Sequence, residues 1–436
     1  LGLIQVTNTY SSSYRSYVLF VLWLVYILNF VDRQLVTILL EPIKIEFGAS
    51  DTAMGFLGGF AFALFYASLG IPVARLADRW SRRNVIAISI GIWSAMTAVC
   101  GLAANFWQLA IARVGVGIGE AGGTPPSHSL LADYFPPEQR STALSIHATA
   151  GQFGMLIGMV GGALVAAEYG WRMAFILFGI PGILVSILLA LTVKEPARLR
   201  PLDDSSMLAD VKYVWRLPGF SLISIAGATT ALSAYGLGAW FPSFLIRTHG
   251  LSLVETGLLL GGIGAVSGII GAVGGGILCD RLGHRDKRWH LWVPAIGAFA
   301  TAPLILAFVL WPESQKLSMG GSMIPFAMVF IVFGAAASSL WLGPTYAAIQ
   351  TLAPDNMRTQ ASAIFMFLFN LIGMGFGPLL IGILSDLLGP TFGTDSLRYA
   401  MAISLVLVLA GAYFFWRAAP LYANAIRDID QTAAQT

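Results

Sequence analysis

Long apolar runs, cut at short intervals by polar clusters, set the pattern of this chain. Twelve can be marked, at approximately 17–40, 52–76, 84–104, 106–131, 139–167, 172–192, 218–246, 252–278, 289–311, 321–350, 358–387 and 397–417. They are numbered helices 1 to 12 in that order, since each reaches the about 20 residues that a helix needs to cross a bilayer. The connections are short except 193–217, which holds Lys194, Glu195, Arg198, Arg200, Asp203, Asp204, Asp210, Lys212 and Arg216. The pattern predicts an all-α membrane protein of two six-helix bundles, 17–192 and 218–417. A cytoplasmic linker at 193–217 joins them, with an N-terminal cytoplasmic segment at 1–16 and a C-terminal cytoplasmic tail at 418–436.

One run departs from the pattern. Between Phe106 and Leu131 the chain is otherwise apolar or small, yet it carries Arg113 and Glu120 within the stretch Arg113-Val-Gly-Val-Gly-Ile-Gly-Glu-Ala-Gly-Gly-Thr-Pro-Pro-Ser-His128. At 3.6 residues per turn Arg113, Gly117, Glu120, Thr124 and Ser127 fall on one stripe, and Gly115, Gly119 and Gly123 on another. The small-residue stripe invites close approach of a neighbouring helix. A charge inside a membrane costs at least about 2.5–3.5 kcal/mol on insertion scales, so it faces a partner or a wet cavity. Arg113 and Glu120 therefore serve either a salt bridge that ties helices together or a substrate or proton site.

Composition narrows the class. The chain is 57% hydrophobic and 11% charged, against roughly 25% charged in a soluble domain. Soluble enzymes and nucleic-acid binders drop out, and no catalytic residues are assigned. Two cysteines, Cys100 and Cys279, supply neither a disulfide framework nor a metal set, and no cofactor is expected. No G-x-x-x-x-G-K-[ST] loop is present, so energy must come from gradients. Leu1–Ser16 has no cleavable signal pattern, so helix 1 is expected to serve as the targeting signal. With both termini cytoplasmic, 18 Lys and Arg lie inside and 5 outside, a bias that fixes this orientation. The expected location is an integral, multi-pass membrane position, the cell inner membrane in a bacterium.

The halves repeat. Ala74-Arg-Leu-Ala-Asp78-Arg79-Trp-Ser-Arg82-Arg83 follows helix 2, and Gly276-Ile-Leu-Cys-Asp280-Arg281-Leu-Gly283-His-Arg285 follows helix 8. Pro136-Pro-Glu-Gln-Arg140 precedes helix 5 as Pro354-Asp-Asn-Met-Arg358 precedes helix 11, and Arg172-Met-Ala-Phe and Arg398-Tyr-Ala-Met open helices 6 and 12. Three matched pairs signal internal duplication. The paired D-R-x-G-R type loops in a 6+6 chain resemble the major facilitator superfamily over essentially the whole length. The resemblance implies a cytoplasmic gate at Asp78, Arg79, Arg82, Arg83, Arg140, Asp280, Arg281, Arg285 and Arg358. The first copy has Ala74 and Ser81 where the family usually has Gly. Asn29-Phe-Val-Asp32-Arg33 in helix 1, Gly117-Ile-Gly-Glu120-Ala in helix 4, Gly70-Ile-Pro and Ala77-Asp78-Arg79 further resemble the Spinster branch, whose members move sphingolipids and lysophospholipids. The anion:cation symporter branch, which carries sugar acids, shares the helix 1 Asp-Arg and helix 4 Gly-Glu.

The ionisable groups read as deep in a span all lie in the first half: Asp32, Arg33, Arg113 and Glu120. With a rise of about 1.5 Å per residue, Asp32 and Arg113 share a level in the outer half of the membrane, and Glu120 lies about 10 Å deeper, within reach of Arg33. The predicted pairs are Asp32 with Arg113 and Arg33 with Glu120. The four charges cancel, and protonating either carboxylate leaves the cluster ready for an anion. His128 and His147 are read as bundle residues, capping or hydrogen-bonded.

The second half offers hydroxyls and aromatics instead, among them Thr229, Thr230, Ser233, Ser338, Thr345, Trp240 and Trp341. A cavity charged on one wall and apolar on the other suits an amphipathic anion, with Arg33, Arg113, Thr124, Thr230 and Trp240 as substrate-binding residues. The expected function is a proton-coupled secondary transporter that works by alternating access and moves an anionic lipid such as a lysophospholipid or sphingoid phosphate. The alternative is a proton-linked symporter of a small organic anion, and a non-transporting receptor is the rival from another class. Expected partners are the substrate, protons and membrane lipids, with the chain a monomer and no nucleic acid bound.

Overall fold

The computed structural model describes residues 10–196, 207–319, 322–354 and 357–435. The first nine residues of the N-terminal segment and 197–206 of the linker lie outside the described residues. Helix 1 is Ser12–Phe47, helix 3 Arg82–Cys100, helix 6 Trp171–Thr192, helix 7 Phe220–His249, helix 8 Leu253–Gly283, helix 9 Trp289–Leu310 and helix 12 Ser396–Gln435. The other five are interrupted. Helix 2 comprises Asp51–Gly55, a π turn at Phe56–Phe60 and Ala61–Arg79; helix 5 comprises Pro137–Leu156, a π turn at Ile157–Gly161 and Gly162–Tyr169. Helix 11 comprises Arg358–Leu368, a π turn at Phe369–Phe376 and Gly377–Phe392. Helix 4 is split into Phe106–Glu120 and Thr124–Tyr134, and helix 10 into Met328–Ser338 and Leu342–Leu352.

Ten stretches among the described residues are long and apolar enough to cross a membrane. They account for all the marked runs but one. Helix 4 is too short in either piece, and helices 11 and 12 count together as the single stretch Gln360–Ile429. Two local expectations are corrected. An antiparallel hairpin, Lys316–Met319 with Ser322–Pro325, occupies the start of the run assigned to helix 10. The C-terminal tail is helical as far as Gln435, continuing helix 12.

Local chemistry sets the helix ends. Ser81, Asn105 and Ser252 accept the N–H of Asn84, Gln108 and Glu255, which the first turns of helices 3, 4 and 8 leave unpaired. Glu255 returns the bond to Ser252 and completes a capping box. Helix 7 is bounded by Gly219 and Gly250, whose φ of 85° and 66° would strain any side chain. Helix 4 ends where Gly122 and Gly123 meet Pro125 and Pro126, since proline opens a helix but cannot donate within one.

The chain forms two compact units. One holds helix 1, helix 2 from Ala61 onward and helices 3 to 6. The other holds helices 7 to 12 together with Gly48–Phe60, which sequence assigned to the first bundle. The reason is backbone contact with helix 11: a Cβ on Gly55 would lie 2.4 Å from Pro378 O, and one on Gly382 would lie 2.3 Å from Asp51 O. Phe220, Ile223, Trp341, Phe365, Phe415 and Tyr422 anchor the core of this second unit.

Candidate functional site

The glycine stripe of helix 4 brings helix 3 against it. Added Cβ atoms would lie 2.7 Å from Met96 Sδ at Gly115 and 2.6 Å from Trp93 N at Gly119. Gly117 faces helix 2 just as tightly, 2.5 Å from Phe62 O. This packing leaves Arg113 2% and Glu120 0% exposed. Both predicted pairs form. Arg113 Nη1 donates to Asp32 Oδ2 at 2.8 Å, and the Thr97 hydroxyl donates to Asp32 Oδ1. Glu120 Oε2 accepts Asn29 Nδ2 at 2.7 Å and Arg33 Nε and Nη2, each at 2.9 Å.

The two carboxylates differ in what remains. Both Asp32 oxygens are engaged, whereas Glu120 Oε1 is buried with no hydrogen-bond partner among the described residues. Arg33 is the accessible member, its side chain 17% exposed, with its guanidinium 4.7 Å from the Tyr66 ring and 5.2 Å from Phe62. Those ring faces add cation–π contact to the two bonds that Arg33 gives Glu120.

The other expected residues are placed as follows. Thr124 starts the second piece of helix 4, so the polar stripe drawn through Glu120, Thr124 and Ser127 is interrupted at the break, and Ser127 Oγ donates to Gly123 O at 2.7 Å. Thr230 lines an apolar cavity of about 80 Å³ inside the second unit, with Leu237, Phe241, Ile305 and Trp341. Trp240 is not with it: it is fully enclosed, and its indole N–H donates to Pro378 O at 2.9 Å. It packs helix 7 on helix 11. His147 is held by ring packing, stacked on Tyr26 at 4.6 Å with His128 at 5.2 Å.

The gate residues separate in the same way. Arg82, 4% exposed, pairs with Asp133 and with Glu195 at 2.9 Å. Glu195 also accepts the Ser81 hydroxyl at 3.0 Å and the Arg83 N–H at 2.8 Å. Burial pushes the Glu195 carboxyl up, but the bonds from Arg83, Arg82 and Ser81 outweigh it and hold it below its ordinary value. Arg140 Nε donates to Phe135 O at 3.0 Å. Arg79, Asp280, Arg281, Arg285 and Arg358 are exposed, and Asp280 enters none of the ion pairs among the described residues. The Asp78 side chain lies outside the described residues.

A second charge site escaped the sequence reading. Asp51, 3% exposed, receives Arg247 Nη1 and Nη2 at 2.9 Å each and the Ser385 hydroxyl at 2.6 Å. Asp386 beside it accepts the backbone N–H of Asp51 at 3.0 Å and of Thr52 at 2.7 Å. The available signal was Asp386, a carboxylate within a marked run with no assigned partner.

The family model described as Major Facilitator Superfamily matches residues 22–374. The chain belongs to the major facilitator superfamily. An MFS-type efflux pump of Mycolicibacterium smegmatis is 36% identical over 417 residues, covering 95% of this chain and 94% of that one. The sphingosine-1-phosphate transporter SPNS2 of Danio rerio is 26% identical over 440 residues, covering 94% and 84%. A solved bacterial homolog of the human lysosomal transporter Spinster, inward-facing and unoccupied, aligns with a TM-score of 0.84 at 30% identity, covering 95% of this chain and 99% of that one. This major facilitator protein is therefore a multi-pass membrane transporter related to Spinster.

Proposed function

We propose that the protein is a proton-coupled secondary transporter of an amphipathic anionic lipid, with Glu120 carrying the proton and Arg33 holding the anionic head. The observation that carries this reading is the asymmetry inside the cluster. Asp32 is saturated by Arg113 and Thr97, while Glu120 keeps Oε1 unpartnered and shares Oε2 with the accessible Arg33. A substrate phosphate that takes the Arg33 fork leaves a carboxylate in a dry interior without its cation. Such a group takes up a proton rather than stand charged and alone. Proton and anion therefore help one another to bind, and the linkage is reciprocal. A proton on Glu120 releases Arg33, and an anion on Arg33 invites the proton. Arg113, 2% exposed, serves to position Asp32.

The apolar interior of the second unit favours a hydrocarbon tail. Of the hydroxyls lining its cavity, Thr301 and Ser338 spend theirs on Gly297 O and Ala335 O of their own helices. That leaves Thr230 Oγ1 as the one without a hydrogen-bond partner among the described residues, fewer than a sugar acid needs. The lipid phosphate named for the Danio rerio relative has the required shape, an anionic head on one long chain. Uptake into proteoliposomes under an imposed pH gradient tests the proposal. Competition by lysophospholipids or sphingoid phosphates is the expected outcome. Competition by sugar acids alone would move the assignment to a small-anion symporter, and no uptake of either class would sink transport of both.

A further inference from the structure

Helices 9 and 12 leave a groove on the surface of the second unit. Its floor is Ala295 and Ala412, both buried, and its walls are Ile296, Phe299, Leu409, Tyr413 and Trp416, all exposed. The small residues make the depression and the large ones flank it, giving a volume of about 490 Å³. From Trp292 to Phe299 helix 9 rises about 10 Å, at about 1.5 Å per residue. That is most of the hydrocarbon depth of one leaflet, about half of a 30 Å core.

One end of the groove is built for a headgroup. Trp292 stacks on Trp416 with ring centroids 5.2 Å apart, and indoles gather where lipid tails meet headgroups. Arg288 lies 4.7 Å from the Trp292 ring and pairs with Asp286 at 2.6 Å. Arg417, one residue beyond Trp416, is exposed with its guanidinium 6.0 Å from the Tyr413 ring, and it joins no ion pair among the described residues. The stretch before helix 9 and the latter half of helix 12 carry Arg285, Lys287, Arg288, Arg417 and Arg427 against Asp286, Asp428 and Asp430. The end is net positive.

We propose that this groove retains one anionic diacyl phospholipid of the surrounding leaflet, with an acyl chain on the Ala295–Ala412 floor and the headgroup charge at Arg417. The apolar contact would be the same for any lipid of similar chain length. The cation supplies the discrimination, since each Lys or Arg near a membrane surface favours an anionic lipid about fivefold. The site is independent of the transport reading, because it shares no residue with the charge cluster.

The test is native mass spectrometry of the full chain, purified in detergent with equal phosphatidylglycerol and phosphatidylcholine of matched chains. One retained phosphatidylglycerol is expected, about fivefold over phosphatidylcholine. Arg417→Gln should bring the ratio to about one while total retention holds. Ile296→Trp, which fills the groove from an exposed wall, should lose the retained lipid of either kind. Both substitutions are at surface positions, and thermal unfolding checks that the fold persists. Equal retention of the two lipids by the unaltered chain would overturn the proposal, as would a phosphatidylglycerol preference untouched by both substitutions.

Discussion

Helices 4 and 10 break at matching places but carry different chemistry. Helix 4 stops at Glu120 and resumes at Thr124; helix 10 stops at Ser338 and resumes at Leu342. Helices 5 and 11, which follow them, each contain a π turn. Yet the last residue before the first break is a fully buried carboxylate, and before the second it is a serine bonded to Ala335 O at 3.0 Å. The irregular backbone was duplicated and the charge was not. A break or π turn is a mechanical feature that either bundle can use alone. A buried charge costs stability wherever it sits and stands only where neighbours of opposite sign meet it, as Arg33 meets Glu120.

The largest expected effect comes from damaging the cluster itself. Arg113→Ala strands Asp32 and should lower stability by about 3–5 kcal/mol, read by denaturant unfolding in detergent, with Asp32→Asn in the same chain recovering part of it. A loss below about 1 kcal/mol, the level of an exposed pair, would show that the charges are solvated after all. Making the two breaks alike from the other side is next. Ser338→Glu places a carboxylate in the apolar cavity lined by Leu237, Phe241, Ile305 and Trp341 and should cost about 2.5–3.5 kcal/mol, measured in the same way; an unchanged midpoint would mean the second unit tolerates charge there.

Glu120→Gln removes the charge at the break in helix 4 and makes that break resemble the one in helix 10. Uptake driven by a pH gradient should fall about 100-fold, the scale of a lost proton-transfer group, while substrate-for-substrate exchange continues. Full pH-driven uptake in this variant, with loss in Asp32→Asn, would reassign the proton to Asp32. The smallest effect is at Glu195. Its folded pKa lies below the ordinary 4.5, so its stabilisation is complete above that value and is lost as pH falls through the depressed one. The change should be about 1 kcal/mol, because the pair is partly exposed, and should vanish in Glu195→Gln. A midpoint that falls equally with acid in both chains would discount it.

Much of this was legible in the residues. Hydropathy located the helices, and rise per residue alone paired Asp32 with Arg113 and Arg33 with Glu120. Charges inside apolar runs are few, so their partners are few. The break in helix 4 is written in Gly122, Gly123, Pro125 and Pro126, but that in helix 10 carries only Gly343 and Pro344, just inside the restarted piece Leu342–Leu352. The Asp51–Arg247 pair was hidden for a different reason. Both residues stand at helix ends, where polar side chains are ordinary, and 196 positions separate them. Only folding reveals that Ser385 and Asp386 close round the same point.

That pair has a consequence for how the chain could be taken apart. The segment Gly48–Phe60 is encoded with the first bundle but packs with the second unit. Suppose the gene were cut in the linker and its two products made separately. The N-terminal product would carry a short peg for its counterpart, with Asp51 to meet Arg247 and Gly55 and Gly59 shaped to lie on Pro378 and Gly375. The C-terminal product would keep the socket. Two polypeptides with no covalent tie would thus have a built-in handle for finding each other in the membrane, and Arg247 would be its grip.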